Sequence, residues 1–532
     1  MNKINRVILC IIDDVRSSHF FSFIEKGLLP NLKRLLENGI YSKNCVTDFP
    51  SVTYPTHPTI LTGTYPGAFR NEPSHGITGY HWMDRATAPP EIRHYGTVGT
   101  DELIQIYKIN SDLGPNCQTM LEMIGEGNLP SIFQLISRGA NHLFPKSKIS
   151  LAMYYMLLTA RFLGKKSVVK LLNYINNLVV RELLDTFKKP RKYFEINEAP
   201  IGSNLWFMTP DIIMHAFGYD SHLYKINLLL IDRAIGMLVN ELEAMGYLDD
   251  TAIAITSDHG NYRVGEIGNI LSFYTSSGLK NYHPRKNYRG IVNITEFASV
   301  GHFHFKGSRN SDNRKSWPRP TLKELKNFGP KKKDMLEELL RLKGIELMYY
   351  REDGNTTEKG TIHLKRKDLK NSTVFSSIIE YKGKGSDYKT RYTSENDESD
   401  VFGFYNDNIA VKMMDGKFHK IDEWLDSTHH LDHSLYPDLI PRYFKNSRSA
   451  DVVVSTLGNV LYKVVHGKIE NSNRYDHDIG LRKSSVVPLI VSGSEEIPIK
   501  LVPFCKTTDI VPSLVHMLGK RCHDSVVGNN LC

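Results

Sequence analysis

A chain of 532 residues, 41% hydrophobic and 23% charged, has the composition of a folded globular protein and is too long for one simple core. Its 67 basic residues against 58 acidic ones leave a formal charge of +9, a mild excess that suits anionic ligands and does not call for a nucleic acid. Six cysteines, at 10, 45, 117, 505, 522 and 532, show no CxxC spacing, which argues against a disulfide framework or a thiolate zinc site.

The chain opens with "MNKINRVILCIIDDVR", whose apolar run is too short for a signal-peptide core and reads as a first strand ending at Asp13-Asp14. Cys10 is expected to be a small core residue of that strand. "LPNLKRLLENGI" has helical spacing with Gly39 as its stop, and "YSKNCVTDF" returns to extended chain. Strand, helix, strand is the start of an α/β domain.

Residues 145–190 read as a mostly helical insertion with apolar and basic faces. Its most apolar part, "ISLAMYYMLLTARFLG", is broken by Arg161 and falls short of the roughly 18 to 20 residues of a membrane span. "YKINLLLIDRAIGMLVNELEAMGYL" is an amphipathic helix, and "DTAIAITSDHG" has the continuous apolar run of a parallel-sheet strand. After about 262 the character changes to lysine runs and short alternating strands, as in "GTIHLKRKDL" and "FSSIIEYKGKG", which predicts an inserted α+β cap. The α/β pattern is expected to resume with "ADVVVSTLG" and "SSVVPLIVSGS". The basic residues of 310–390 alternate with acidic ones and match no groove-reading motif, so no nucleic-acid binding is expected.

One stretch stands apart. "DFPSVTYPTHPTILTGTYPG", residues 48–67, surrounds four hydroxyls and His57 with Pro50, Pro55 and Pro58. Prolines fix φ and remove donors, so this segment is no central strand, and it presents Thr53, Tyr54, Thr56 and His57 on stiff backbone. His57 is expected to be supporting structure.

Acidic and histidine residues gather at the carboxyl ends of the predicted strands, where open α/β sheets hold their sites. Asp13 follows strand one. Asp258 and His259 follow "TAIAIT" and reach one site only if the strand ends there, with Gly260 expected to let the chain turn. "PDIIMH" sets Asp211 and His215 four apart, on one face of a helical turn. His477, in "RYDHDIG", lies eleven residues before the strand "PLIV". Singly each is most often a cap or a surface group. Together, three Asp and three His suit two divalent ions, zinc most naturally and manganese as an alternative. Such a pair clamps the oxygens of a phosphoryl transfer, and a threonine hydroxyl beside it becomes a nucleophile.

In this order, "IIDDVR", "FPSVTYPTHPTILTGTYPG", "SHGITGY", "PDIIMH", "TSDHGN" and "HDIGLRKSSVVPLIVSG" resemble the alkaline phosphatase superfamily, nearest its type I phosphodiesterase/nucleotide pyrophosphatase branch. The resemblance covers residues 6–85, 205–262 and 435–520. It implies an α/β, alkaline-phosphatase-like core with a mostly parallel central sheet between helices. That core is expected over 1–290 and 435–532, with the cap over 291–434. "PSVTYPTH" matches the family's nucleophile motif with Thr53 in the nucleophile's place. The resemblance implies one ion held by Asp13, Thr53, Asp258 and His259, the other by Asp211, His215 and His477, and a covalent phosphothreonine-type intermediate that is then hydrolysed.

Four departures bear on substrate. Thr56 replaces the motif's asparagine, and Tyr80 stands where a second asparagine helps hold a phosphate oxygen. Six extra residues around "AFRNEP" precede "SHGI", and the last histidine is followed by Asp478 rather than glycine. Tyr80 is expected to bind substrate. The sulfatase signature is absent from the sequence. The expected protein is therefore a metal-dependent phosphodiesterase or nucleotide pyrophosphatase acting on a nucleotide, lipid or other small phosphoester. A phosphomonoesterase, a phosphonate hydrolase and a phosphoester transferase share the same site, the last favoured by an apolar insertion able to cover a long chain. A non-catalytic binding protein of this fold is the alternative from another class. The unpaired cysteines and short apolar start predict a cytoplasmic location.

Overall fold

The computed structural model describes residues 4–95, 108–145, 164–282, 287–308, 316–395, 399–462 and 474–532. The apolar part of the helical insertion, 149–163, lies outside them. The chain divides into two compact units, one formed by Met1–Tyr65, Thr97–Tyr262 and Lys483–Cys532, the other by Pro66–Gly96 and Arg263–Arg482.

The first unit is built on a central sheet whose strands run in the order Lys500–Leu501, Gly39–Val46, Val486–Gly493, Thr251–Thr256, Arg6–Ile12, Gly202–Phe207, Pro130–Ile132 and His142–Phe144, with Cys505–Lys506 also paired to Gly39–Val46. Pairing is parallel except along Val486–Gly493, which runs antiparallel to both of its neighbours. Strands Arg6–Ile12, Gly202–Phe207 and Thr251–Thr256 are buried nearly throughout, as expected of apolar runs covered on both faces by helices. No disulfide links any of the six cysteines, and Cys10 is buried within its strand. Helix Lys165–Lys188, the described part of the insertion, packs along helix His222–Ala244. Among the described residues, no helix is long and apolar enough to cross a membrane.

The second unit carries a seven-stranded, wholly antiparallel sheet in the order Val292–Phe297, Val300–Phe305, Val452–Ser455, Leu347–Arg351, Lys359–Lys367, Val374–Lys382 and Lys389–Ser394. Helices Leu271–Ser277 and Met335–Leu340 close an apolar core with Phe303, Met348, Tyr350 and Val454 on one face. The expected strands "GTIHLKRKDL" and "FSSIIEYKGKG" form a hairpin within this sheet.

The division of the chain differs from the expected one. Val452–Ser455, read as a return to the core sheet, instead pairs with Val300–Phe305 and Leu347–Arg351. An all-apolar strand looks the same in either sheet, so its partners decide its place. Segments 66–96, 263–290 and 435–482 accordingly fall in the second unit.

Candidate metal centre

The three adjacent parallel strands Arg6–Ile12, Gly202–Phe207 and Thr251–Thr256 end side by side, and each delivers acidic residues at its carboxyl end. Asp13 follows the first directly. After the second, the chain enters helix Thr209–Phe217 with Pro210 in its first turn, and this helix carries Asp211 and His215 on one face. His215 Nε2 is 3.2 Å from Asp211 Oδ1. A buried network holds the start of that helix, with Thr209 Oγ1 2.8 Å from Asn176 Oδ1 and Asn176 Nδ2 donating to Asn227 Oδ1 at 2.9 Å. The helical insertion, through Asn176, thus positions Asp211.

The third strand stops at Thr256, so Asp258 and His259 leave strand alternation and serve one site. The turn depends on Gly260, though not through a left-handed φ. A Cβ there would lie 2.5 Å from the Lys483 carbonyl oxygen and 3.2 Å from Arg16 Cα, so close backbone approach imposes the glycine.

The proline-rich stretch forms helix Thr53–Thr62. Pro55 falls in its first turn, where the missing N–H has no helical acceptor to lose. The helix ends at Gly63, whose φ of 67° is left-handed. Its hydroxyls divide sharply. Thr56, Thr59 and Thr62 bond back to the carbonyls of Val52, Pro55 and Pro58 at 2.8, 3.0 and 2.6 Å. Thr53, as the first residue, has no helical carbonyl four residues back, and its Oγ1 lies 3.1 Å from His259 Nε2.

The tautomers can be assigned from their partners. His259 Nδ1 faces the Gly260 carbonyl at 3.2 Å, which only accepts, so Nδ1 carries the proton and Nε2 a lone pair. Gln134 donates its Nε2 to the Leu205 carbonyl at 3.1 Å, which leaves its Oε1 to accept from His57 Nδ1, also at 3.1 Å. His57 Nε2 then faces Asp258 Oδ2 at 3.4 Å. His259 Nε2 is 3.2 Å from the same oxygen and 3.6 Å from Asp13 Oδ1.

Lone pairs of imidazole and carboxylate therefore converge in a buried space. Among the described residues, Asp13 Oδ1 and Asp258 Oδ2 are both buried without a hydrogen-bond donor, whereas Asp13 Oδ2 accepts from Trp206 Nε1 at 2.9 Å. Burial, with the charges of Asp258, Asp211 and Asp14, holds the Asp13 carboxyl well above its ordinary pKa. Burial acts the same way on Asp258; the His259 and His57 rings, when protonated, and the Asp14 N–H oppose it and hold the carboxyl below the usual range, whereas the neutral tautomers turn lone pairs toward it. Crowded carboxylates facing imidazole lone pairs are what a divalent cation resolves. Asp13, Asp211 and His259 offer ligand atoms within 4.8 Å of one another, as do Asp13, His57 and Asp258, so the residues present fit a metal.

Of the expected site residues, Asp13, Thr53, Asp211, His215, Asp258 and His259 all belong to the first unit. His477 and Tyr80 belong to the second. His477 follows the short strand Tyr475–Asp476, and its N–H donates to Asp476 Oδ1 at 2.8 Å. Tyr80 precedes the strand His81–Asp84, its ring 4.7 Å from that of His81. Two contributors escaped the sequence reading. Trp206 sits in a strand that reads as plain core, and Gln134 in a loop with no motif. His57 approaches the centre more closely than a supporting residue need.

The family model described as type I phosphodiesterase/nucleotide pyrophosphatase matches residues 7–456. An uncharacterised pyrophosphatase/phosphodiesterase of Schizosaccharomyces pombe is 26% identical over 254 residues, 48% of this chain and 44% of that protein. The bis(5'-adenosyl)-triphosphatase enpp4 of Mus musculus is 23% identical over 296 residues, 56% of this chain and 54% of that one. The chain thus spans about half the length of these curated relatives. Murine ectonucleotide pyrophosphatase/phosphodiesterase 5 has the same fold, with a TM-score of 0.53 at 12% identity over 97% of this chain and 96% of that one. An inactive threonine-to-alanine form of that murine protein, in complex with AMP, gives 0.52 at 11% identity over the same shares of both chains. With most of its length matched by the family model, the chain belongs to the type I phosphodiesterase/nucleotide pyrophosphatase family.

Proposed function

We propose that this chain is a two-metal hydrolase of phosphoesters, a phosphodiesterase or nucleotide pyrophosphatase with Thr53 as its nucleophile. The observation that carries the reading is the 3.1 Å approach of Thr53 Oγ1 to His259 Nε2, beside the buried carboxylates of Asp13 and Asp258. Asp13, Thr53, Asp258 and His259 would hold one ion, and Asp211, His215 and His477 the other, as the family resemblance implies. Zinc suits this oxygen and imidazole set best, with manganese as the alternative. When bound, the ions would acidify the threonine hydroxyl and neutralise charge on the phosphoryl oxygens.

The chain's own residues do the rest. The first turn of the proline-stiffened helix orients Thr53, whose proton leaves as Oγ1 bonds to phosphorus. The P–O bond to the departing alcohol or phosphate breaks, and that oxygen takes a proton from water. A water molecule then attacks the phosphothreonine, the Oγ1–P bond breaks and the hydroxyl regains its proton. Burial keeps bulk water from the charges that develop. Tyr80 is proposed to bind a phosphate oxygen by its phenol.

Metal analysis together with a substrate panel tests it. We expect about two divalent ions per chain and faster turnover of bis-aryl than of mono-aryl phosphates. Fewer ions with no turnover of any ester would favour a binding protein, and preference for the monoester would make it a phosphatase.

A further inference from the structure

Segment 66–76, which contains the six extra residues "AFRNEP", folds within the second unit as a closed loop filled by its own side chains. Its ends meet where the Gly76 N–H donates to the Pro66 carbonyl at 3.0 Å. The closure needs a glycine at 76, where φ is 75° and a Cβ would lie 2.1 Å from the Phe69 ring. Glu72 Oε1 accepts from the Ala68 N–H at 2.7 Å. Glu72 Oε2 accepts from Lys445 Nζ at 2.6 Å in a buried ion pair. Such a pair costs desolvation on both sides, so it contributes a fixed geometry more than net stability.

The chain that leaves helix Tyr436–Phe444 grips this loop and the segment after it. Asn446 Nδ2 donates to the carbonyls of Pro66 and Gly76 at 3.1 and 3.3 Å, and Arg448 Nη1 donates to that of Gly76 at 2.9 Å. The buried Arg448 guanidinium also stands over two rings, 3.5 Å from the centre of Phe69 and 4.0 Å from that of Trp82. Its Nε lies 3.8 Å from Asp84 Oδ2. Arginine suits both tasks at once, because its planar fork donates in the plane while its face stacks. Phe69 belongs to the extra residues, and Gly76 and Trp82 bracket Tyr80 in the chain. Trp82 Nε1 in turn donates to the Tyr95 hydroxyl at 3.1 Å, and the Tyr95 N–H donates to the Tyr80 carbonyl at 3.3 Å. Residues 74–79 are buried, and Tyr80 is the first of the segment to be partly exposed.

We propose that Arg448 is a positioning residue for Tyr80, and that the extra residues 68–73 are the platform against which it fixes the phenol. The inference rests on the proposed binding of a phosphate oxygen by Tyr80. A phenol reaches further from its backbone than the asparagine amide of the family's pattern, so a small swing of the backbone displaces its hydroxyl further. A hydrogen bond to phosphate tolerates little displacement, which gives a second brace on this backbone its use. Arg448 acts through the Gly76 carbonyl and the Trp82 ring, not on the substrate itself.

A double-mutant cycle on the full metal-loaded chain tests it, read as kcat/KM for a bis-aryl phosphate on the folded fraction that thermal melts define. Tyr80→Phe should lower kcat/KM about tenfold, the loss of one hydrogen bond to a charged group. Arg448→Lys keeps the charge and loses the stacked fork. Alone it should lower kcat/KM about fivefold, and on top of Tyr80→Phe less than about twofold, because a misplaced phenol and an absent one lose the same bond. Equal losses in the two backgrounds would overturn the proposal, since a general structural defect does not depend on the phenol. An Arg448→Lys protein as active as wild type would overturn it too. Tyr80→Phe turning over at the wild-type rate would instead remove the phenol from substrate binding, and the positioning role with it. If Arg448→Lys does not fold, Phe69→Leu replaces it by taking one ring from beneath the guanidinium. The same dependence on Tyr80 is expected there, and an equal effect in both backgrounds would again overturn the inference.

Discussion

Thr53 Oγ1 and His259 Nε2 stand 3.1 Å apart although 206 positions separate them in the chain. The contact joins the first residue of the proline-bound helix to the end of strand Thr251–Thr256. It selects one hydroxyl from the four threonines of that helix. Replacing Thr53 by Ala should lower turnover of a bis-aryl phosphate by about a thousandfold or more, while Thr53→Ser retains a measurable fraction. Metal content should stay near that of wild type in both variants. Turnover of Thr53→Ala within threefold of wild type would remove Thr53 from the chemistry.

The buried carboxylates make an opposite pair of demands on stability and on metal. Asp13 and Asp258 repel one another in the metal-free chain, so Asp13→Asn should leave the metal-free protein as stable as wild type or more so. The same change removes an anionic ligand and should cut metal affinity by at least about tenfold. Thermal melts with and without added zinc check both signs. A variant destabilised without metal yet unaltered in metal affinity would show that Asp13 is structural.

Gly260→Ala should be destabilising by about 2 kcal/mol or more, because its Cβ would collide with the Lys483 carbonyl at 2.5 Å and backbone must shift to admit it. The displaced segment includes His259, so activity should fall further than stability alone accounts for. A denaturant midpoint and a specific activity, measured on the folded fraction, separate the two effects.

His433 gives a pH dependence of known sign. It is buried in the second unit, stacked on Phe402 at 5.2 Å and edge-on to Tyr436 at 5.1 Å, with Arg366 the charged group that acts on it. Burial, and then Arg366, lower its pKa to about 3. The unfolded chain binds this proton near pH 6.5 and the folded chain does not, so stability is intact above about pH 6.5 and declines as pH falls toward 3. His433→Phe should remove one proton from this linkage, about 1.4 kcal/mol per pH unit in that window. Urea midpoints between pH 7 and pH 5 read the difference, and parallel profiles for variant and wild type would contradict the assignment.

Much of the centre is legible in the chain itself. Apolar runs that end in "DD" and "SDHG", and a four-residue spacing in "PDIIMH", are local patterns, and local patterns survive without knowledge of partners. In a parallel sheet they have a spatial consequence, because neighbouring strands bring their carboxyl ends to one edge. The prolines likewise signal a stiff, non-strand segment before any partner is known.

Other features depend on partners that the sequence does not name. Four threonines in one helix are equivalent as letters. Only helix geometry shows that three of them have a carbonyl within reach while the first does not. Gln134 and Trp206 matter because folding brings an amide to His57 and an indole to Asp13 across gaps of 77 and 193 residues, and neither side chain carries a signature of that use. "VVVS" is core-like wherever it lies, and hydrogen-bonding partners alone assign it to the antiparallel sheet. The sequence by itself determined the type of elements and the chemistry at their ends, because both are written in local periodicity and residue type. The tertiary structure decided which hydroxyl faces the histidine, which tautomers hold and which carboxylates crowd together, because those follow from contacts between residues far apart in the chain.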